Sequence, residues 1–429
     1  MSIFFRKKCE IRKITQERIF CMNITRKGII NLILSLVLVI GLTFVMSSCS
    51  FEFSFDGFFD DFIDDDGNNI LTPGDQFDDE IKDPVFYPNS GSGSLDDVSA
   101  EKKTLFSTVS IIADWDGTPG AGSGVIYQLD KEKGDAYIIT NYHVIYYDGI
   151  ASKINLYLYG MQSKSYAIPA TFVGGSLTND IAVLKVTGSE VLKKSNAIAA
   201  TFGDSELVRV FDEAIVVGNP EGYGMSVTKG IISVESESLD LVGADGSLIT
   251  LRVIRTDAAV NQGNSGGGLY NSKGELVGLV SAKMLGETID NLGFAIPSNL
   301  VKNLVDNIID NCNGDDKTQI QRPLLGVTIV ASSLGVVIGP DGDVVQAQIV
   351  TVDSVNEGSA ASSVLKVGDI INSVTVDGVK YEITKTYQLP DIMLSARVGS
   401  TVVMNITRGE QTLNTATITV TAEMINPID

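Results

Sequence analysis

The sequence predicts a mainly β protein, with two packed barrels of short strands followed by a smaller α+β unit. Three observations carry that reading. Short apolar or alternating runs recur over about 200 residues, separated by Gly, Asp, Asn and Pro clusters, at the spacing of an all-β barrel or sandwich. A stretch at 298–312 instead sets its apolar side chains at helical spacing, and the polar run N-G-D-D-K at 313–317 follows it. Finally, 429 residues with 44% apolar content exceed one ordinary domain and can build more than one core.

The chain begins with 28 residues that hold eight Lys or Arg against two acids. An uncharged apolar run, 29–46, then meets S-S-C-S, which is the shape of an export signal. Met22 is a second candidate start, since M-N-I-T-R-K supplies a short basic region of the conventional kind. The residues Met46-Ser47-Ser48-Cys49 resemble a bacterial lipobox, in which the cysteine is lipidated and becomes the new N-terminus. The alternative is an uncleaved transmembrane anchor, for which roughly 18 apolar residues are just long enough. Either route leaves the body anchored at the extracytoplasmic face of a bacterial membrane. Residues 1–48 are therefore read as a targeting segment. Residues 49–98 are read as an acidic disordered tether, because the stretch 51–97 carries 14 acids and a single lysine with no period that would bury a face. The net charge is −21, and −27 once 1–48 are removed, so nucleic-acid phosphate would be repelled and no such partner is expected.

Order is expected from about Ser99, where one or two helical turns lead into the strands. The runs V-S-I-I-A-D-W, G-S-G-V-I-Y, A-Y-I-I-T-N, I-N-L-Y-L-Y, A-I-P-A-T-F-V-G and D-I-A-V-L-K-V suit a first barrel. E-A-I-V-V-G-N-P, S-V-T-K-G-I-I-S-V-E, L-R-V-I-R-T-D and E-L-V-G-L-V-S-A suit a second. The helix that follows sets Leu300, Val301, Leu304, Val305, Ile308 and Ile309 on one face, with Ser298 as its N-cap, and closes a domain spanning 99–312. The second unit, 318–425, has strands around L-L-G-V-T-I-V, Q-A-Q-I-V-T-V, D-I-I-N-S-V-T-V and T-V-V-M-N-I-T-R. S-A-A-S-S-V-L and L-P-D-I-M-L-S-A-R between them read as helices. No internal repeat is present.

The chemistry is concentrated in R-T-D-A-A-V-N-Q-G-N-S-G-G-G-L, 255–269. Its Gly-rich turn exposes the hydroxyl of Ser265 and can aim the N–H groups of Gly263 and Ser265 at one oxyanion. Taken alone this is a loop between strands, and a serine nucleophile needs a base. His143, after the strand Y-I-I-T-N-Y, is the one histidine in the chain. Asp180 opens the apolar strand I-A-V-L-K-V and is placed to orient an imidazole, whereas elsewhere it would be an ordinary turn aspartate. The order His, Asp, Ser matches one known arrangement of a serine-hydrolase triad and excludes two others. Cys9 and Cys21 precede the apolar run and Cys49 would carry lipid, which leaves Cys312 without a disulfide partner and makes a zinc site unexpected.

At this point the chain resembles the HtrA or Deg family of trypsin-like serine proteases with a C-terminal PDZ domain, from about residue 104 to 422. The resemblance rests on G-S-G-V-I, I-I-T-N-Y-H-V-I, N-D-I-A-V-L-K-V, F-G-D-S, V-G-N-P, V-T-K-G-I-I-S, T-D-A-A-V-N-Q-G-N-S-G-G and L-G-F-A-I-P, in that order. It implies a chymotrypsin-like double β-barrel with His143 as general base, Asp180 as its orienting carboxylate, Ser265 as nucleophile, and Gly263 with Ser265 as oxyanion donors. No cofactor and no metal are implied. Val280, Ser281 and Ala282 would line the S1 pocket, which lacks an evident acid and so suits small apolar residues. Leu325, Gly326 and Val327 would form the carboxylate-binding turn of the PDZ domain, which captures C-terminal peptides by β-augmentation. Two departures stand out: Gln262 and Gly268 each replace a proline usual in the family. Asp257 reads as a structural residue of the strand entering the serine loop. The family further implies a homotrimer acting on unfolded or misfolded polypeptides, and the short connection between Trp115 and Gly122 makes larger cages less expected. The alternatives are a catalytically idle chaperone or peptide-binding module and, with the same triad, an esterase.

Overall fold

Residues 94–222, 224–281, 292–311, 320–338 and 342–428 are described by the structure, a computed structural model. The targeting segment at 1–48, Cys49, the acidic stretch up to 93, Ala282, Cys312 and the linker at 313–317 lie outside the described residues. A 3₁₀ turn, Leu95–Asp97, is closed by reciprocal capping between Ser94 and Asp97. Helix α1 (Ala100–Ser107) follows, and the hydroxyls of Ser107 and Thr108 meet the buried phenol of Tyr270 at 3.2 and 2.9 Å.

The first barrel is built from β1 (Thr108–Trp115), β2 (Thr118–Asp130), β3 (Asp135–Thr140), β4 (Lys153–Leu158), β5 (Ile168–Ser176) and β6 (Ile181–Val186). It closes in the order β1-β2-β3-β6-β5-β4. The turn between β1 and β2 is Asp116-Gly117, both with positive φ, a two-residue turn whose twist matches the strands it joins. Helices α2 (Tyr142–Ile145) and α3 (Glu190–Lys194) are single turns at the barrel ends.

The second barrel holds β7 (Glu213–Gly218), β8 (Ser226–Val242), β9 (Leu248–Thr256), β10 (Gly268–Tyr270), β11 (Leu276–Val280) and β12 (Gly293–Pro297), closed as β10-β11-β12-β9-β8-β7. Strands β10 and β12 were not among the expected ones. With three and five residues, all buried, neither shows an alternation to read. Helix α4 (Ser298–Asn311) then covers the seam between barrels. Its Leu300, Val301, Leu304, Val305 and Ile308 pack in one cluster with Val125, Ile139 and Val183 of the first barrel and Ile215, Val217 and Leu251 of the second. Each such buried aliphatic contributes about 1.5–3 kcal/mol. Ser298 is not an N-cap outside the helix but its first residue, and its hydroxyl donates to the Gly203 carbonyl at 2.8 Å.

In the C-terminal unit β13 (Ile320–Pro323) pairs β21 (Ile425–Ile428). The main sheet runs β14 (Val327–Ile338), β15 (Val344–Val355), β16 (Ile370–Val376), β18 (Thr401–Arg408), β19 (Gln411–Asn414), with β17 (Val379–Glu382) beside β16 and β20 (Ile418–Thr419) beside β18. L-P-D-I-M-L-S-A-R supplies helix α5 (Gln388–Met393). S-A-A-S-S-V-L is a 3₁₀ turn, Ala360–Ser363, rather than a helix, because the Ser362 and Ser363 hydroxyls bond back to the carbonyls of Ser359 and Ala360 and compete with helical bonding.

This unit is seated on the barrels by polar contacts. Arg252 of β9 donates to Asp391 of α5 and lies 4.1 Å from the centre of the Tyr387 ring. Gln388 Nε2 donates to Glu206 at 2.6 Å, and Asn303 and Asn307 of α4 donate to the carbonyls of Asp391 and Leu394, each at 3.0 Å. Among the described residues no helix is long and apolar enough to cross a membrane.

Candidate active site

Strand β3 ends at Thr140, and the extended Asn141 starts the turn of α2 that presents His143. Asp180 lies at the start of β6 in a left-handed conformation, φ 51°, closed by its own N–H bonding to the Leu177 carbonyl at 3.3 Å. That geometry is tolerated by a short polar side chain. It brings the carboxylate, only 3% exposed, back toward the neighbouring strand β3. His143 Nδ1 lies 2.8 and 3.0 Å from the two Asp180 oxygens, and the His143 backbone N–H donates to Oδ1 at 3.1 Å. On the other side of the ring, Nε2 lies 2.9 Å from Ser265 Oγ. With the carboxylate fixing the ring proton on Nδ1, Nε2 is left as the acceptor that faces the serine hydroxyl.

Ser265 is carried on the loop between β9 and β10. Asn264 N–H bonds the Asn261 carbonyl at 3.1 Å, while Gly266 N–H donates to Val280 and Val280 N–H to Gly267 at 2.9 and 2.8 Å. The nucleophile loop is thereby stitched to the end of β11. Gly268, where the family usually has proline, has a reason in this chain: a Cβ there would lie 2.2 Å from the Tyr270 ring. Asp257 accepts from the Ile231 N–H at 2.6 Å and so braces β8 against the strand that enters the loop.

Of the residues expected at S1, Val280 packs its side chain in the interior of the second barrel with Leu269, Val277 and Ala295. Ser281 is buried and its hydroxyl donates to Asp180 Oδ2 at 3.3 Å, while Ala282 lies outside the described residues. Two residues beside the carboxylate were therefore missed as such by sequence reasoning. The sequence pattern marks Ser281 only as pocket wall and gives no part to Asn141, whose Nδ2 donates to the Asp180 carbonyl at 2.9 Å. Asn141 is adjacent to the histidine motif and could have been suspected. Ser281 is 101 residues from Asp180 and reaches it only through closure of the two barrels. In the C-terminal unit, Leu325 is buried, Gly326 has φ 75°, and Val327 begins the edge strand β14. Among the described residues no group of three His, Cys, Asp or Glu is close enough to hold a metal ion.

A hydroxyl bonded to an imidazole that is bonded in turn to a buried carboxylate can act as a nucleophile at neutral pH. Residues 122–279 match the family model described as "Trypsin-like peptidase domain". The chain is 38% identical over 230 residues to "Serine protease Do-like HtrA" of Bacillus subtilis (strain 168), covering 53% of this chain and 46% of that protein. It is 35% identical over 338 residues to "Serine protease Do-like HtrA" of Lactococcus lactis subsp. cremoris (strain MG1363), covering 74% of this chain and 71% of that one. Similarity to "Periplasmic pH-dependent serine endoprotease DegQ" of Escherichia coli (strain K12) is 34% over 317 residues, covering 72% of this chain and 62% of that one. The chain thus spans less than half the length of the Bacillus relative it matches.

Proposed function

Because the chain belongs to the Do-like HtrA family of trypsin-like serine proteases, we propose that it is an exported, membrane-tethered serine endopeptidase that cleaves misfolded or exposed polypeptides. The observation that carries this reading is the unbroken hydrogen-bonded run from Asp180 through His143 to Ser265. Ser265 Oγ attacks the scissile carbonyl carbon as its proton passes to His143 Nε2, and Asp180 holds the imidazolium in place. The oxyanion of the tetrahedral intermediate lies between the N–H groups of Gly263 and Ser265. Collapse breaks the C–N bond, the imidazolium gives its proton to the departing amine, and an acyl-enzyme remains. Water, deprotonated by His143, then releases the acid and restores the serine. The S1 pocket is read as lying beside the strand end at Val280 and Ser281, and because neither of those residues is an acid, small apolar residues are proposed at the position cleaved.

The C-terminal unit is read as a PDZ domain that binds peptide C-termini. Support comes from the left-handed Gly326 before the edge strand β14, and from an apolar cluster shared by Leu325, Val327 and Ile329 with Leu389, Ile392 and Met393 of α5. The edge of β14 that pairs with no strand among the described residues is where an extended peptide would add. The chain is further read as a lipoprotein anchored at Cys49, with a transmembrane helix at 29–46 as the alternative, assembled as a homotrimer. The mass of the mature N-terminus separates the two anchors, and a monomer by mass photometry at working concentration would end the trimer.

The test of activity is degradation of casein by the full-length chain in detergent, beside Ser265→Ala. Cleavage by the first and none by the second is expected. If neither cleaves, even with apolar C-terminal peptides added, the endopeptidase reading fails and a peptide-binding module takes its place.

A further inference from the structure

The nucleophile loop is held from across the molecule by one side chain that the triad does not use. Ser123 lies in β2 of the first barrel and is fully buried. Its backbone N–H donates to the Ser265 carbonyl at 2.8 Å, and its hydroxyl donates to the Gly263 carbonyl at 2.7 Å. The same hydroxyl accepts from the Asn219 N–H at 2.8 Å, and the Ser123 carbonyl accepts from Thr140 Oγ1 at 2.7 Å. Every polar group of Ser123 is thereby committed. Together they join the end of β3, just ahead of His143, to the end of β7 and to both carbonyls that flank Asn264.

The Gly263 bond is the informative one. Gly263 has φ 87° and no side chain, so nothing of its own decides which way its two peptide planes face. The peptide plane that follows Gly263 is held by two bonds, one within the loop from the Asn264 N–H to the Asn261 carbonyl at 3.1 Å and one from outside it, the Ser123 hydroxyl to the Gly263 carbonyl. A hydroxyl fixed at both ends, donating to the Gly263 carbonyl, sets ψ of that residue and with it the direction of the Gly263 N–H relative to that of Ser265. Resting on the reading of Ser265 as the nucleophile, we propose that Ser123 is a positioning residue. It acts through the Gly263 carbonyl to hold the loop in the form in which two N–H groups converge on the oxyanion.

The consequence is specific to the tetrahedral state. Misaligning one of two donors weakens stabilisation of the oxyanion while leaving peptide contacts in place. For the full-length chain, Ser123→Ala is expected to lower kcat about 10- to 100-fold per folded molecule with KM changed less than about threefold. Affinity for a peptide boronate, which forms a tetrahedral adduct on Ser265, should fall in parallel. The rate at which a fluorophosphonate labels Ser265 should fall as well. Ser123→Cys, which fills the same space with a weak donor, should shift all three in the same direction. Ser123→Thr should recover most of the loss, because it restores the hydroxyl. Ser110→Ala is the control. It removes a buried hydroxyl from the residue paired with Ser123 in β1, one with no hydrogen-bond partner among the described residues, and should leave all three readouts unchanged.

If Ser123→Ala and Ser123→Cys label, bind boronate and turn over within about twofold of wild type per folded molecule, and only the thermal midpoint falls, Ser123 merely ties the barrels together and the proposal is overturned. Labelling is read independently of peptide cleavage. A wild type inert toward casein would therefore overturn the endopeptidase reading alone, while the ratio of labelling rates still decides the role of Ser123.

Discussion

Asp180 gathers three contacts besides its bond to the His143 ring: the His143 backbone N–H, the Ser281 hydroxyl and, on its own carbonyl, the Asn141 amide. The first two bonds hold the carboxylate, and the third holds the backbone of a residue in the left-handed region, φ 51°. Replacing the carboxylate by an amide should cost far more than loosening it. Asp180→Asn is expected to lower kcat by about 10⁴, because an amide no longer fixes the proton on Nδ1 or stabilises imidazolium. Ser281→Ala removes one of several bonds, and the expected fall is less than about tenfold. Steady-state kinetics on a chromogenic peptide, normalised to titrated active sites, checks both, and equal losses would contradict the division of labour. His143, Asp180 and Ser265 could be singled out in the sequence because each lies in a motif with its own local pattern. Ser281 and Ser123 could not be assigned the same way, since the groups they bond are 101 and 140 residues distant.

At the scale of the element, β2 is a strand under constraint on both faces. A Cβ at Gly122 would lie 2.5 Å from Val144 Cγ1, on the helical turn that bears His143. Gly122→Ala is expected to destabilise by about 1–3 kcal/mol through overpacking, and to lower kcat by displacing α2. Adding Val144→Ala should recover most of both, and urea unfolding of the single and double variants would show it. A double variant no better than Gly122→Ala would place the clash elsewhere. Ser110→Ala, by contrast, should be neutral or stabilise by up to about 1 kcal/mol, since it removes a buried hydroxyl that has no partner among the described residues. Most strands were legible because alternation and apolar runs survive in any window of that length. Strands β10 and β12 were not, being short and buried throughout, and the serine-rich turn at Ala360–Ser363 lost its helix to local hydroxyl bonds that a hydrophobic period does not register.

For the whole molecule, the seat of the C-terminal unit is a half-buried polar network. Arg252 is 9% exposed and faces Asp391, Glu206 and the Tyr387 ring, while Lys385 lies 3.6 Å from Glu235. Burial pushes the Asp391 carboxyl up to about 6 against the pull of Arg252, with Glu206 adding to the rise and Arg322 opposing it. A carboxyl that binds its proton more tightly when docked stabilises the docked form below the ordinary carboxylate range. That contribution is lost as pH rises through about 6. The linkage is worth at most about 3 kcal/mol. The thermal midpoint of the wild type should therefore fall more between pH 5 and pH 7.5 than that of Asp391→Asn, read by calorimetry at matched ionic strength. Parallel pH profiles would show that Asp391 does not govern the seat.

That the chain is mainly β, where most of its strands run, and which protease family it belongs to can all be read from the order of its amino acids. Those properties are written locally, in periods of two residues, in turn residues and in short motifs. The folded arrangement sets Nε2 of residue 143 at 2.9 Å from the hydroxyl of residue 265. It alone made Ser281 a partner of Asp180 and set Ser123 against Gly263. It also gave Gly268 its reason in the Tyr270 ring and brought Arg252 to Asp391. Each of these contacts depends on how two closed barrels and a third unit meet, and a periodic pattern specifies which face of a strand is buried without specifying what lies against it.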